Sequence, residues 1–443
     1  MKRYITFTNI LFFILSVFVF NSYFLIRKTP LLLILIIPLF ALLNVLPSLR
    51  LKGTRRLRLI ICNHGAAVLF IFLLSLIPSI AWHIILLSKF LFPEAFLDIL
   101  FSALLCVLLS AIFFWNGIIC VYLTSTQMGI KWRLIGALCG MIPIANLIIL
   151  TKIIRITSSE IEFEITKEKI TSDPTLSEIC KTKYPIVLVH GIFFRDTKVF
   201  NYWGRVPSTL KAHGATIYYG QHQSALSVEE SARELSHRIK LIVERSGCEK
   251  VNIIAHSKGG LDCRYAISEF GLAPYVASLT TINTPHRGCI FAERLLSAAP
   301  EKFKNKIAKA YNSTLKVLGD ENPDFLAAIG DLTANSCEKL NKKLVFPDGI
   351  YAQSVGSVML HPRKGRFPLN ISYRYVKGFD GENDGLVGES SFKWGEKYTL
   401  LRTDGKRGIS HGDMIDHNRE NIKDFDVRAF YTDLVADLRK RGL

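Results

Sequence analysis

The run Val251-Asn252-Ile253-Ile254-Ala255-His256-Ser257-Lys258-Gly259-Gly260 carries a short apolar strand straight into a serine with small residues close by. That is the layout of a nucleophile elbow, a strained strand-to-helix turn that holds a hydroxyl at the end of a sheet. Ala255 stands where the usual pattern has its first glycine and is still small enough for a crowded turn. Gly259 and Gly260 permit close approach of the next helix to the strand. The motif demands partners: an acid and then a histidine after it, and before it a loop able to help build an oxyanion hole.

The surrounding sequence supplies a sheet for the elbow. Pro185-Ile186-Val187-Leu188-Val189 reads as a buried strand ending at His190-Gly191. Val228 to Arg245 has helical periodicity, with Ala232, Leu235, Ile239 and Ile242 near one face. Strand 251–255 follows, then a helix from about Gly259 and a strand near Val276–Ile282. Strands alternating with helices imply an α/β domain with a mostly parallel sheet covered on both faces. Ligands in such sheets bind beyond the carboxyl ends of the strands, where His190 and Ser257 lie. Between Cys289 and Leu344 helical segments replace strands, near 291–297, 302–315 and 323–344, and carry Phe291, Leu295, Leu296, Phe325 and Leu326. This insertion reads either as a lid over an apolar substrate or as ordinary packed helices. A strand is expected near Tyr373–Val376 to resume the sheet.

The demanded partners follow in order. Asn383-Asp384-Gly385-Leu386-Val387 places an acid in a tight turn, and His411 lies in Gly408-Ile409-Ser410-His411-Gly412-Asp413, before the last helix. An alcohol is a weak nucleophile and needs a base oriented by a third group. Ser257 is therefore assigned the attack, His411 the proton and Asp384 the orientation of the imidazole. Asp380 is a rival acid and His417 a rival base. Oxyanion donors are expected from the backbone N–H of Lys258 and of Ile192, with His190 and Gly191 supporting the loop.

These residues resemble the bacterial triacylglycerol lipases of the α/β-hydrolase superfamily. The likeness rests on Val189-His190-Gly191, Ala255 to Leu261, Asn283-Thr284-Pro285-His286-Arg287-Gly288, Asn383 to Val387 and the histidine loop, and covers roughly 183–435. It implies an α/β-hydrolase fold and an acyl-enzyme mechanism, and carries nucleophile, acid and base onto Ser257, Asp384 and His411. It also implies oxyanion donors at Ile192 and Lys258, and no required cofactor. Some of these lipases hold a structural calcium near the catalytic histidine, and Asp413 matches one ligand position. The second acidic ligand has no counterpart upstream of Asp384, where 359–379 contains no Asp or Glu.

Residues 1–155 are a different material. They hold 14 Lys and Arg against 2 acidic residues, while the rest holds 41 against 35. Apolar stretches at about 6–26, 30–48, 62–88, 97–123 and 133–153 approach or exceed the roughly 20 residues that cross a bilayer as a helix. An all-α membrane region of about five spans is expected, then a polar connector over 156–182, with a short strand at Ile161–Ile165, and a catalytic domain over 183–443. Arg50, Lys52, Arg55, Arg56 and Arg58 form the strongest positive loop and are expected on the cytoplasmic side. Five spans then send the catalytic domain outside, with Lys2, Arg3, Lys131 and Arg133 inside; Lys152 and Arg155 argue the other way. Cys62, Cys106, Cys120 and Cys139 fall in apolar stretches and read as small hydrophobes, and the other five cysteines lack metal-site spacing.

The expected function is a multi-pass cell-membrane serine esterase or lipase acting on acyl esters, with membrane lipids and the bilayer as partners and no obligate protein partner. A lipid acyltransferase using the same triad and an inactive membrane interaction protein are the alternatives. Nucleic acid is not an expected partner, because no basic stripe with interleaved aromatics occurs.

Overall fold

The computed structural model describes residues 4–443 except 47–50, 52, 90–92, 141, 143, 193–201, 299, 318–319, 362–364, 367, 421 and 423. The chain divides into two compact units, Met1–Ser172 and Asp173–Leu443.

The first unit is all helix: α1 (Phe7–Phe20), α2 (Tyr23–Lys28), α3 (Leu33–Val45), α4 (Leu57–Lys89), α5 (Pro93–Thr124), α6 (Gly129–Cys139) and α7 (Ala145–Ser172). Two helical segments, Leu57–Ser88 and Phe96–Thr124, are long and apolar enough to cross a membrane. They pack closely where glycines face each other. A methyl at Gly65 would lie 2.8 Å from the Gly117 carbonyl oxygen, and one at Gly117 would meet Leu69 at 2.7 Å. Small residues that let backbones approach are how apolar helices associate in lipid.

Of the other expected stretches, 30–48 holds one shorter apolar helix, Pro30–Val45, and two are divided. The first is split between α1 and α2, where the Asn21 side chain bonds back to the Val17 carbonyl at 2.7 Å. The last is split between α6 and α7. Residues 156–172 of the expected connector, including the strand expected at Ile161–Ile165, are instead the second half of α7. Ile161-Glu162-Phe163-Glu164-Ile165 alternates over five residues, as a strand would. The longer window carries a different interval: Leu150, Ile154, Thr157, Ile161 and Ile165 are buried, and they recur at threes and fours. Helical periodicity over that window wins.

Part of the cationic loop is neutralised inside this unit. Arg58 meets Glu160 at 2.6 Å and Arg56 meets Glu168 at 2.7 Å. Glu160 is buried and also accepts from Ser125, Thr126 and Gln127, joining the end of α5 to α7. Arg50 and Lys52 lie outside the described residues, as do Lys2 and Arg3.

The second unit begins with α8 (Pro174–Ser177) and is built on six strands: β1 (Ile186–Val189), β2 (Ile217–Tyr219), β3 (Val251–His256), β4 (Val276–Ile282), β5 (Tyr351–Ser357) and β6 (Lys397–Leu401). All pairs are parallel, in the order β2-β1-β3-β4-β5-β6. Helices flank them: α9 (Val206–Ala212), α10 (Val228–Ser246), α11 (Lys258–Glu269), α12 (Ile290–Ala298), α13 (Glu301–Val317), α14 (Phe325–Gly330), α15 (Ala334–Lys343), α16 (Leu369–Asp380) and α17 (Val427–Lys440). The arrangement is consistent with an α/β-hydrolase fold.

Alternation along the strands makes two cores. Val187, Val189, Ile253 and Ala255 face α10 and α11, while Ile186, Leu188 and Ile254 join Val206, Leu210, Tyr431 and Val435 of α9 and α17. Helix α10 is bounded as its sequence directs. Ser227 accepts from Glu230 N–H, and Gly247 ends the helix at φ 67.

The strand expected at Tyr373–Val376 is helical, within α16. Its aromatic and β-branched residues favour a strand, but the apolar positions Leu369, Tyr373 and Val376 recur at four and three, and the last two are buried. The sheet resumes instead through β5, whose buried Gln353 and Ser354 are satisfied by Thr280 and by the Trp394 backbone.

A buried ion pair fastens α9 to the loop after His411. Arg205 donates from Nε and Nη2 to Asp416, each at 2.7 Å, and its backbone N–H adds a third bond at 2.7 Å. Both side chains are buried. Removing one partner strands the other charge, so Asp416→Ala is expected to lower stability by about 3–5 kcal/mol, read from the unfolding midpoint of the purified chain. A variant that unfolds like the parent would show that the pair contributes little.

Candidate active site

Ser257 sits between β3 and α11 with φ 56 and ψ −131, a conformation in which only glycine is comfortable. Tertiary contacts hold it there. Its N–H donates to the Ile282 carbonyl at 2.9 Å, and the Thr284 hydroxyl donates to its carbonyl at 2.8 Å. The end of β4 thus clamps the end of β3. The two glycines that follow are close-approach positions: a methyl at Gly259 would collide with the His190 carbonyl, and one at Gly260 with the Thr284 side chain.

Asp384 and His411 are brought together. Asp384 Oδ2 accepts from His411 Nδ1 at 2.6 Å, and the His411 N–H donates to the Asp384 carbonyl at 2.9 Å. The carboxylate is fully buried and saturated with donors: the N–H groups of Leu386 and Val387 on Oδ1, each at 2.9 Å, and Asn283 Nδ2 on Oδ2 at 2.5 Å. Proton donation from Nδ1 leaves Nε2 of His411 as the basic nitrogen. The His411 ring packs on His256, the residue before Ser257, with ring centroids 4.5 Å apart. This geometry can take a proton at the elbow and stabilise the imidazolium that results.

The rivals are placed elsewhere. Asp380 accepts from the N–H groups of Ile290 and Phe291, each at 2.9 Å, at the start of α12. The His417 N–H donates to the Gly412 carbonyl at 3.0 Å, within the turn that follows His411.

His190 and Gly191 end β1 against the elbow. His190 is fully buried; its Nδ1 lies 2.9 Å from the Gly191 carbonyl and its Nε2 3.1 Å from the His222 carbonyl. Burial, with His222 stacked 4.2 Å away, pushes its pKa down to about 3. The Gly191 N–H donates to the Tyr202 oxygen at 3.0 Å, and the Tyr202 hydroxyl is 2.7 Å from His256 Nδ1. Gly191 is thus committed to bracing, while Ile192, the next residue, is buried at the start of the loop. Gly191→Ala places a methyl 2.8 Å from Ser257 Cβ and 3.0 Å from the His256 carbonyl. Because misplacement of about 1 Å costs about 100-fold, kcat for this variant is expected to fall by about that factor while the fold persists. An Ala variant of full activity would show that the loop does not position the serine.

Three participants were not legible as such in the sequence: Tyr202, Asn283 and the Lys258 side chain. Asn283 was visible only as part of the Asn-Thr-Pro-His run. Lys258 Nζ is buried, bonding Asp262 at 2.7 Å and Ser231 at 2.8 Å. Burial raises the Asp262 carboxyl to about 6 against the opposing pull of Lys258. The pair pins the first turn of α11, whose N-terminal N–H groups face the elbow.

Asp413 is bonded within its own loop. Its Oδ2 accepts from Ser410 N–H and Oγ at 2.9 and 2.6 Å, and its Oδ1 from Arg407 at 2.7 Å. An arginine already neutralises this carboxylate, and among the described residues no group of three or more His, Cys, Asp or Glu is arranged to hold a metal. Asp413 instead folds the histidine loop.

No family profile matches the chain. The triacylglycerol lipase of Pseudarthrobacter phenanthrenivorans is 34% identical over 174 residues, covering 36% of this chain and 54% of that protein. The chain spans about half the length of the bacterial relatives of this kind that it matches first. Among solved structures, the Staphylococcus hyicus lipase aligns with a TM-score of 0.45 at 20% identity, over 59% of this chain and 97% of that one. Triacylglycerol lipase 2 of Saccharomyces cerevisiae is 30% identical over 263 residues, covering 54% of this chain and 74% of that protein. With that much of a relative matched, and with the elbow, the loop and the acid–histidine pair on one sheet, the chain belongs to the triacylglycerol lipase family.

Proposed function

We propose that this protein is a membrane-anchored serine esterase or lipase that hydrolyses acyl esters of lipids. The observation that carries the reading is the strained elbow at Ser257, set beside the Asp384–His411 pair. Ser257 Oγ attacks the ester carbon while His411 Nε2 takes its proton, giving a tetrahedral oxyanion. The N–H groups of Lys258 and Ile192 receive that charge; losing one such donor typically costs about 2.7–4 kcal/mol of barrier. His411 returns the proton to the leaving alkoxide, and the acyl group stays on Ser257. Water then attacks the acyl-enzyme and gives a proton to His411, which passes it to Ser257 Oγ as the acyl–oxygen bond breaks, releasing the free acid and restoring Ser257 and neutral His411.

Family membership supports acyl esters as the substrate class, and α4 and α5 support attachment to a bilayer. Helices α12 to α15 form the insertion between β4 and β5, in the place where a lid would exclude water from the acyl chain. The test is covalent labelling of the full chain in detergent with a fluorophosphonate. One adduct is expected, on the peptide holding Ser257, together with loss of p-nitrophenyl ester hydrolysis. An adduct on a different serine, or hydrolysis that survives complete labelling, would remove Ser257 from the mechanism.

A further inference from the structure

Helix α13 carries its charge on one side. Lys302, Lys306, Lys309 and Lys316 recur at intervals of four, three and seven residues, which at 3.6 residues per turn sets them within about 80° of arc. All four are exposed. The opposite side is the packed one: Ala308 and Leu315 are buried, and Tyr311 stacks on Phe325 of α14 at 4.4 Å. The helix's acid, Glu301, pairs with Lys304, which lies outside the stripe and also donates to the Leu296 carbonyl of α12 at 3.1 Å. None of the four stripe lysines has an ion-pair partner among the described residues. Over 173–443 the chain holds 39 Lys and Arg against 31 Asp and Glu, and this stripe supplies half of that excess.

Exposed apolar side chains occur on other elements of the same unit. On α12, joined to α13 through Lys304, Leu295 is 52% exposed; on α16, Tyr375 is 60% exposed. Phe291 of α12 packs on Tyr375 and Phe379 of α16, with ring centroids 6.4 and 6.2 Å away. Any polyanion would satisfy the lysines, but α4 and α5, long and apolar enough to cross a membrane, favour a bilayer as the one this chain meets. A bilayer with anionic head groups offers the lysines a surface of phosphates.

We propose that the lysine face of α13 docks on an anionic lipid surface, which holds the Ser257 unit against the layer that contains its substrate. The inference rests on the lipid-ester reading above. Anchoring through α4 and α5 would make docking intramolecular, so a stripe of four lysines suffices where a free domain would need more.

The test is lysine footprinting of the full chain in vesicles of phosphatidylcholine alone or with phosphatidylglycerol. Acylation by a water-soluble reagent is expected to slow about fivefold or more at Lys302, Lys306, Lys309 and Lys316 when the anionic lipid is present, since each lysine gains from the surface potential. Raising salt should restore the rate. The same protection is expected in Ser257→Ala, so failure of the catalytic reading leaves the footprint intact. Joint K302E, K306E, K309E and K316E should slow hydrolysis of a vesicle-borne ester about tenfold or more and leave a soluble short-chain ester unaffected, whereas arginine at all four positions should retain both. Equal labelling in the two kinds of vesicle would overturn the proposal. So would protection by duplex DNA or an acidic protein without anionic lipid, which would assign the stripe to that partner.

Discussion

Ser257→Gly is expected to abolish ester hydrolysis, by roughly 10⁶-fold in kcat, while making the chain harder to unfold. Ser257 is held at φ 56 and ψ −131, a backbone conformation that costs a residue with a Cβ about 1–3 kcal/mol. Glycine removes that strain but loses about 0.5–1 kcal/mol through the freedom of its unfolded chain. The strain relieved exceeds the entropy lost, and a net gain of about 1 kcal/mol remains. For a unit of this size that is a rise of about 2–4 °C in the unfolding midpoint. Ser257→Ala is the control. It loses the hydroxyl and the activity but keeps the Cβ, so it should unfold at the parent's temperature. A glycine variant no more stable than the alanine variant would mean that the elbow stores no strain.

That strain explains why the elbow is legible in the sequence. A serine between a strand and two glycines is an unusual local pattern because the turn's geometry admits few residues, and the pattern survives in a single sequence. The same holds for β1 and most of β3, whose apolar runs are what a strand buried on both faces requires, while β4 keeps Val276, Leu279 and Ile282 among buried Ser and Thr. β5 and β6 left no such trace. Gln353, Ser354 and Ser357 of β5 are buried but satisfied by hydrogen bonds that only the folded sheet provides. α16 misled because Tyr373, Tyr375 and Val376 suit a strand locally, while the burial of Tyr373 and Val376 follows a helical interval. Ser257, Asp384 and His411, on which the proposed mechanism rests, could be named from motif and order. Tyr202 and Asn283 could not: their contacts with Gly191, His256 and Asp384 span many residues of sequence and depend on tertiary packing. In the helical unit, apolar stretches marked where helices lie, but not where Asn21 would end one or where Glu160 would gather Arg58 to α7.

Asp384→Asn is expected to lower kcat by about 10⁴-fold with little change in KM, and its cause can be followed atom by atom. All four groups that reach this side chain are donors: the N–H groups of Leu386 and Val387, Asn283 Nδ2 and His411 Nδ1. A carboxylate accepts from all of them, but an amide has one accepting oxygen and one NH2. If the NH2 faces Leu386 and Val387 it meets two backbone donors that cannot move away. The oxygen therefore keeps the backbone bonds, and the NH2 turns to Asn283 and His411. Asn283 can adapt by flipping its amide, since its other partner, the Ser357 hydroxyl at 2.7 Å, can donate instead of accept. His411 can adapt only by moving its proton to Nε2, the nitrogen that must be basic. The fold and the ester-binding surface are left intact, and the base is removed. The measurement is kcat and KM on a soluble short-chain ester, alongside the unfolding midpoint. A variant within tenfold of the parent's kcat would place the orienting acid elsewhere. A variant whose midpoint collapses would show that buried donors, not the tautomer, dominate the loss.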